Sequence, residues 1–431
     1  MDDRDRILEE LLLEFGSDAQ ESADPIPEET PEPAAEPEQT EVAIPEKRKE
    51  KKPKPVKEKK EKPAKVKKEK PIKEKPVKEK LPMGKRIGRF ALRFGLILVE
   101  TAVLLLITAY CALFILAKGP SPTARDLFVR SVRETSAIGF LADIYFSEEE
   151  IAAIENAQQI EEFKETDTSL ITITKPEDKE ESDGPVADEW GLIDEDGDGI
   201  ILEEVKGEGY SGYMMVVLDP SRVILGSVPK SYGGMGYTVE QMVKKFDAVA
   251  GTNAGGFDDP NGAGNGSIPD TLVVFEGKIY YESFGVNDGF VGLDKNHILH
   301  TGILTPNEIR EREIQYGVCF GPVLIANGEV ALAENNVGGL NPRTAIGQRS
   351  DGAILMLVID GRQVSSIGAT YRDLVDIFLE YGAVNACNLD GGSSSMMWFG
   401  DGYVNNCASV IGIRPVPTAF VVLKEGVDAD E

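Results

Sequence analysis

Histidine is nearly missing. His297 and His300 are the only two in 431 residues, so histidine-dependent chemistry is confined to the HILH segment they bound. Cysteine is almost as scarce, at four. Cys111 lies in a long apolar run, and Cys319, Cys387 and Cys407 cannot all pair within one monomer; Cys387 and Cys407 flank a Gly-rich loop and are the one pair weighed as a bridge. Basic residues are short where a polyanion would bind. Residues 94–431 hold 22 Lys and Arg against 52 Asp and Glu, whereas residues 1–93 hold 24 against 22. A folded part this acidic repels polyanions, which argues against a nucleic-acid binder. Large apolar residues are lacking from 47–82, which repeats units such as Lys68-Glu69-Lys70-Pro71 and Lys73-Glu74-Lys75-Pro76. Such a segment buries too little surface to fold, and its prolines favour an extended tail.

One run is strongly apolar. Phe94 to Ala117 reads FGLILVETAVLLLITAYCALFILA, interrupted by the single charge of Glu100. At 1.5 Å per residue it is long enough to cross about 30 Å of hydrocarbon. Lys85, Arg86, Arg89 and Arg93 precede it, and Lys118 alone follows closely. The positive-inside rule then puts the N-terminus in the cytoplasm and residues 118–431 outside. The tail 1–93 also contains Ile7, Leu8, Leu11, Leu12 and Phe15 at helical spacing. Residues 2–15 therefore read either as a helix that docks on a cytoplasmic partner or as a marginal, partly formed one. The tail lysines either lie against anionic headgroups or are simply solvated.

Residues 118–189 are expected to form a helical stalk and linker. Ser147 before Glu148, Glu149 and Glu150 has the form of an N-cap with acids in the first turn. Asp194, Asp196 and Asp198 with Gly199 match the first half of a calcium loop. Position twelve, however, is Val205, so a solvated acidic turn is the main reading and calcium the minor one. From 190 to 425 the chain alternates strand and helix signals. Strands are expected at 213–220, 222–228, 271–281, 323–332, 353–361 and 418–424, with hairpin turns at Glu276-Gly277 and Asn327-Gly328. Helices are expected at 238–247, 305–312 and 370–382. Hairpins without regular βαβ alternation imply an α+β or mixed α/β domain with a mixed sheet and flanking helices.

Four segments put small residues beside polar ones at strand ends, where backbone can approach a ligand. They are Asn253-Ala254-Gly255-Gly256-Phe257-Asp258-Asp259, Asn341-Pro342-Arg343-Thr344-Ala345-Ile346-Gly347, Asp360-Gly361-Arg362, and Asn388-Leu389-Asp390-Gly391-Gly392-Ser393-Ser394-Ser395. NAGGF, PRTAIGQ, DGR and NLDGGSSS in this order resemble the phosphodiester glycosidase family over roughly 210–424. Bacterial relatives of that family are often described as exopolysaccharide biosynthesis proteins. The resemblance implies a hydrolase of sugar-1-phosphodiesters with no cofactor, and the apolar run adds the expectation that it is membrane-anchored and acts on cell-envelope polymers. Arg343 would then hold the phosphate, and Asp390 would serve as nucleophile or as general base. Asn253 would bind phosphate or a sugar hydroxyl, with Asp258 and Asp360 as secondary acid/base candidates. Gly255, Gly256, Thr344, Gly391, Gly392, Ser393 and Ser394 would contact substrate, the last four as an anion nest. Trp398 and Phe399 suit either a sugar face or the core. A non-catalytic glycan-binding factor, or a metal-dependent phosphodiesterase using the acidic loop, are the alternatives.

Overall fold

The computed structural model describes residues 83–135, 138–156, 165–173, 186–259, 264–270, 272–281, 289–333, 337–409 and 412–426. The amphipathic stretch 2–15 and the Lys-Glu-Pro tail lie outside the described residues. Helix α1 (Met83–Lys118) contains the apolar run. It is the one helix among the described residues long and apolar enough to cross a membrane, and the rest of the chain leaves its apolar window uncovered.

Three short helices follow: α2 (Pro122–Arg133), α3 (Phe140–Tyr145) and α4 (Glu148–Asn156). Ser121 caps α2 through the amide of Ala124, with Pro122 at its first position. Ser147 and Glu150 exchange side-chain and backbone hydrogen bonds at the start of α4. The expected stalk does not stand clear of α1. Val129, Val132, Ala142, Tyr145, Phe146, Ile151 and Ile154 close instead around Leu113 and Ala117 of α1. The result is a collar around the helix end.

Beyond the collar, three sheets build an antiparallel body, which settles the expected class as α+β. The first sheet runs β1 (Ile200–Gly207), β2 (Tyr210–Val217), β13 (Ile354–Ile359), β12 (Arg343–Arg349), β14 (Ala383–Leu389), β10 (Val323–Ala326) and β11 (Glu329–Val330). The second runs β16 (Gly402–Tyr403), β15 (Met397–Phe399), β4 (Ala248–Asn253), β17 (Thr418–Leu423) and β3 (Val223–Ser227). The third runs β6 (Lys278–Tyr281), β5 (Val273–Phe275), β9 (Ile314–Cys319), β7 (Phe290–Asp294) and β8 (Leu299–Gly302). The two expected hairpins join β5 to β6 and β10 to β11.

Burial on both faces explains the unbroken apolar run of β13. Ile354, Met356 and Val358 enter a core shared by all three sheets. Leu355, Leu357 and Ile359 point the other way, onto α7 (Tyr371–Glu380). That helix buries Leu374, Val375, Ile377 and Phe378, and the Phe378 ring alone contributes about 2 kcal/mol by leaving water. Helices α5 (Val239–Lys245), α6 (Pro306–Glu311) and α7 begin at Thr238, Thr305 and Thr370, and each carries a reciprocal capping box with the residue three positions on.

Two arginines of β12 fasten the preceding chain to this body. Arg349 is 0% exposed; it bonds Asp188 at 2.7 Å, forks onto Asp351 and stacks over Trp190. Arg343 receives Glu134, just past the end of α2, at 2.7 Å. Breaking a buried pair from one side leaves an uncompensated charge and costs about 3 kcal/mol. Glu134→Ala is therefore expected to lower the thermal midpoint of the full chain by roughly 6–10 °C in calorimetry. An unchanged midpoint would mean that water compensates the bare guanidinium.

Candidate active site

The four motif segments sit at strand ends and meet, the Asp360-Gly361-Arg362 segment through Arg362, which donates to Asn341 and lies beside Gly392. β4 ends at Asn253, β12 begins at Arg343, and β14 delivers Asp390 one residue past its end. The Asn253 amide knots them together. Its Nδ2 donates to the Asp390 carbonyl at 2.6 Å, and its Oδ1 accepts from the Thr344 hydroxyl at 2.8 Å and the Met396 amide at 3.1 Å. Asn253 and Thr344 are thus buried scaffold residues whose polar atoms face one another rather than open space.

The turn after Asp390 is pinned as firmly. The Asp390 amide donates to Ala254 and the Gly392 amide to Pro342. Gly392 takes φ +62° with the Arg362 guanidinium 3.2 Å from where a Cβ would stand, so glycine is needed there. Gly391 lies against the Pro342 carbonyl in the same way. The expected anion nest is filled by the protein itself. Pro342 takes the Gly392 amide and Gly391 takes the Ser394 amide, while Ser393 accepts from Arg414 at 2.8 Å and the Ser394 hydroxyl bonds the Asp390 carboxylate. On the facing loop the Gly255 amide donates to Thr418. Gly256 makes room for Asp270, whose carboxylate lies 2.5 Å from where its Cβ would be.

Asp390 is half-buried, and its carboxyl is pushed up to about 7. Desolvation is the main cause; Asp270 and Asp259 raise it further, while Ser394 and Arg414 pull the other way. Asp259 goes down. Partial burial opposes its charge, but the Arg414 hydrogen bond and the Gly264 amide hold its carboxyl below the usual range. Two neighbouring carboxyls with opposite shifts are the arrangement that separates acid/base and electrostatic roles at one site.

The cation of this site is Arg414. It is 4% exposed, pairs with Asp259 at 2.7 Å and lies over the Phe257 ring at 4.9 Å. Its Nε, the Asn388 Oδ1 and the Ser395 Oγ are buried without a hydrogen-bond partner among the described residues. Arg343, expected to hold phosphate, is engaged elsewhere. Its Nε donates to Ala369, its Nη2 to Gly339 and Glu134, and its guanidinium stacks on Tyr371. Strand alternation is the reason: Thr344 points to Asn253, so Arg343 points to the α7 face.

The remaining candidates have other partners or surroundings. Asp360 clamps the loop at Asn405 and Asn406. Asp258 is exposed. Trp398 packs edge-on against Tyr403 and belongs to the core. His300 is buried on β8 against Asp294 at 3.1 Å, outside this cluster. Cys387 and Cys407 do not bridge; both thiols are free, one near the Phe320 carbonyl and the other near that of Ser393. Asp194, Asp196 and Asp198 do converge, with ligand atoms within 4.8 Å of one another. Asp194 and Asp198 already accept the amides of Gly197, Gly199 and Ile200, and Val205 supplies no twelfth ligand.

A raised carboxyl pKa has a stability signature. The folded chain keeps a proton that the unfolded chain releases, so Asp390 costs nothing in strong acid, and its penalty grows with pH and levels off above about 7. Asp390→Asn is expected to raise the thermal midpoint relative to the parent at pH 8, with the gap closing toward pH 4. Equal shifts at both pH values would mean that Asp390 titrates as an ordinary carboxyl.

Residues 246–423 match the phosphodiester glycosidase family. A stretch of 219 residues is 30% identical to an uncharacterized SPbeta prophage-derived protein of Bacillus subtilis, covering 47% of this chain and 31% of that protein. Human N-acetylglucosamine-1-phosphodiester alpha-N-acetylglucosaminidase is 26% identical over 216 residues, covering 45% of this chain and 41% of the enzyme. The chain thus spans well under half the length of the curated relatives it matches. The solved catalytic domain of the zebrafish enzyme of the same name, auto-inhibited by its pro-peptide, superimposes with a TM-score of 0.43 at 21% identity, covering 52% of this chain and 82% of that one. The segment 246–423, which holds Asn253, Arg343, Asp390 and Arg414, is the part of the chain that resembles the phosphodiester glycosidase family.

Proposed function

We propose that this protein is a membrane-anchored hydrolase that cleaves the glycosidic C–O bond of sugar-1-phosphodiesters in cell-envelope polymers. The observation that carries the reading is Asp390, a half-buried carboxyl raised to about 7 beside a buried arginine, inside a domain of that family. α1 is the anchor, with the N-terminal tail in the cytoplasm and the glycosidase domain outside, as the basic residues before Phe94 favour. A Gram-positive envelope with wall or capsular phosphoglycans suits that arrangement.

The chemistry asks little of a general acid, because a phosphomonoester leaves readily from the anomeric carbon. A base whose pKa lies near the working pH is the more effective catalyst, and Asp390 fits that role better than that of a permanently ionised nucleophile. In this mechanism Asp390 takes a proton from water as the water oxygen bonds to the anomeric carbon. The bond from that carbon to the phosphate oxygen breaks, and its electron pair leaves with the phosphomonoester. Arg414 receives the phosphate through the donor edge left free at Nε, and ionised Asp259 stabilises the positive charge developing on the sugar.

The test uses the full chain in detergent with an N-acetylglucosamine-1-phosphodiester in H2-18O. Free sugar and phosphomonoester should appear in equal amounts, with the label in the sugar. Label in the phosphate would mean P–O cleavage and overturn the reaction class, and binding without product would favour a non-catalytic glycan-binding factor. kcat/KM is expected to rise with pH through about 7 as Asp390 ionises. Arg414→Ala should lower kcat/KM by roughly 10²–10³ through lost phosphate stabilisation, and Asp390→Asn should lower it by about 10³ or more.

A further inference from the structure

We infer that the collar helix α3 is an interfacial element seated in the outer boundary of the lipid bilayer, with Phe140 and Ile144 facing the acyl chains. This rests on α1 being a membrane span, the reading given under the proposed function.

The first observation is an apolar face with nothing over it among the described residues. Phe140 and Ile144 stand four apart on one side of α3 and are 59% and 52% exposed, while Ala142 and Tyr145 on the other side are buried. In water that face would be a liability at the foot of an otherwise well-packed bundle. The second observation says what covers it. α3 is fastened beside the lipid-facing flank of α1, inside the apolar run rather than beyond it. The Tyr145 ring lies 5.6 Å from that of Tyr110 and 6.5 Å from that of Phe114, and its hydroxyl donates to the Tyr110 carbonyl at 3.3 Å. Phe128 closes the group edge-on at 6.2 Å from Tyr145.

Length fixes the depth. A span of about 20 residues covers the hydrocarbon. Counted from Phe94, the first residue after Arg93, it ends at Leu113. Phe114 then marks the outer boundary with Tyr110 one turn inside it, and the rings of Tyr110, Phe114, Phe128, Tyr145 and Phe146 form the aromatic belt expected there. The residues of α1 from Phe114 to Lys118 and the collar around them occupy the headgroup layer. An amphipathic element at that depth buries its apolar face at the acyl boundary. The polar groups agree, since Lys118 at the far end of α1 pairs with Glu150 and lies over the Phe146 ring, on the side away from the hydrocarbon.

The partner is therefore lipid, and the probe is a vesicle. Full-length protein with Ile144→Trp, and separately with Leu104→Trp in the middle of the span, is reconstituted in phosphatidylcholine vesicles with or without brominated acyl chains. The native Trp190 and Trp398 belong to the domain and provide the unquenched background. The added emission of Ile144→Trp should be blue-shifted, and bromolipid should remove most of it, as it does for Leu104→Trp. Quenching at Leu104→Trp without quenching at Ile144→Trp would leave the span standing and overturn the interfacial collar. Quenching at neither position would overturn the span itself, and the collar with it.

Discussion

One side chain holds the site together. The Asn253 amide donates to the carbonyl of Asp390 and accepts from Thr344 and Met396, so it ties β4 of the second sheet to β12 and to the turn after β14 of the first. An amide is the one neutral group of that size that donates and accepts from the same planar end. A carboxylate there would set a charge against the Asp390 carbonyl, and a hydroxyl would not reach all three partners. With the turn pinned at Asn253, Ala254 and Pro342, the backbone position from which the half-buried Asp390 carboxyl projects is fixed, and desolvation is the main cause of its raised pKa.

Much of this was legible in one dimension. The caps at Thr238, Thr305 and Thr370 announce their helices because a hydroxyl three residues before an acid or amide satisfies two otherwise unpaired amides. ILMLVI at 354–359 reads as a strand buried on both faces. DGG followed by three serines marks Asp390 as a candidate, because small neighbours at the end of a strand let a ligand approach the carboxyl. The position of the Gly-rich turns at strand ends was equally readable.

What failed was pairing across distance. Arg343 and Thr344 are adjacent, yet the pleat sends them to opposite faces, and only the identity of the inner face decides which residue meets substrate. Glu134 lies more than two hundred residues before its partner Arg343, in a segment whose composition suggests a spacer. Arg414 stands in a GIRPVP stretch that carries no acid or Gly-rich turn, and only the return of β17 alongside β4 explains its arrival at Asp259 and Ser393. A buried cation is identified by its surroundings, which a linear pattern does not hold.

The carboxylates of Glu134 and Asp188 bear on where the protein can be cut. Both belong to chain that composition alone assigns to stalk or linker, yet each neutralises an arginine of β12. Excision at the start of the strand-rich region would leave Arg343 and Arg349 in place with a carboxylate gone from each. The autonomous unit therefore starts earlier than the family boundary at residue 246. A protease severing the chain between collar and Asp188 would leave the Asp188 pair within the strand-rich part, and the grip of Glu134 on Arg343, Gly339 and Asn341 would alone bridge the cut.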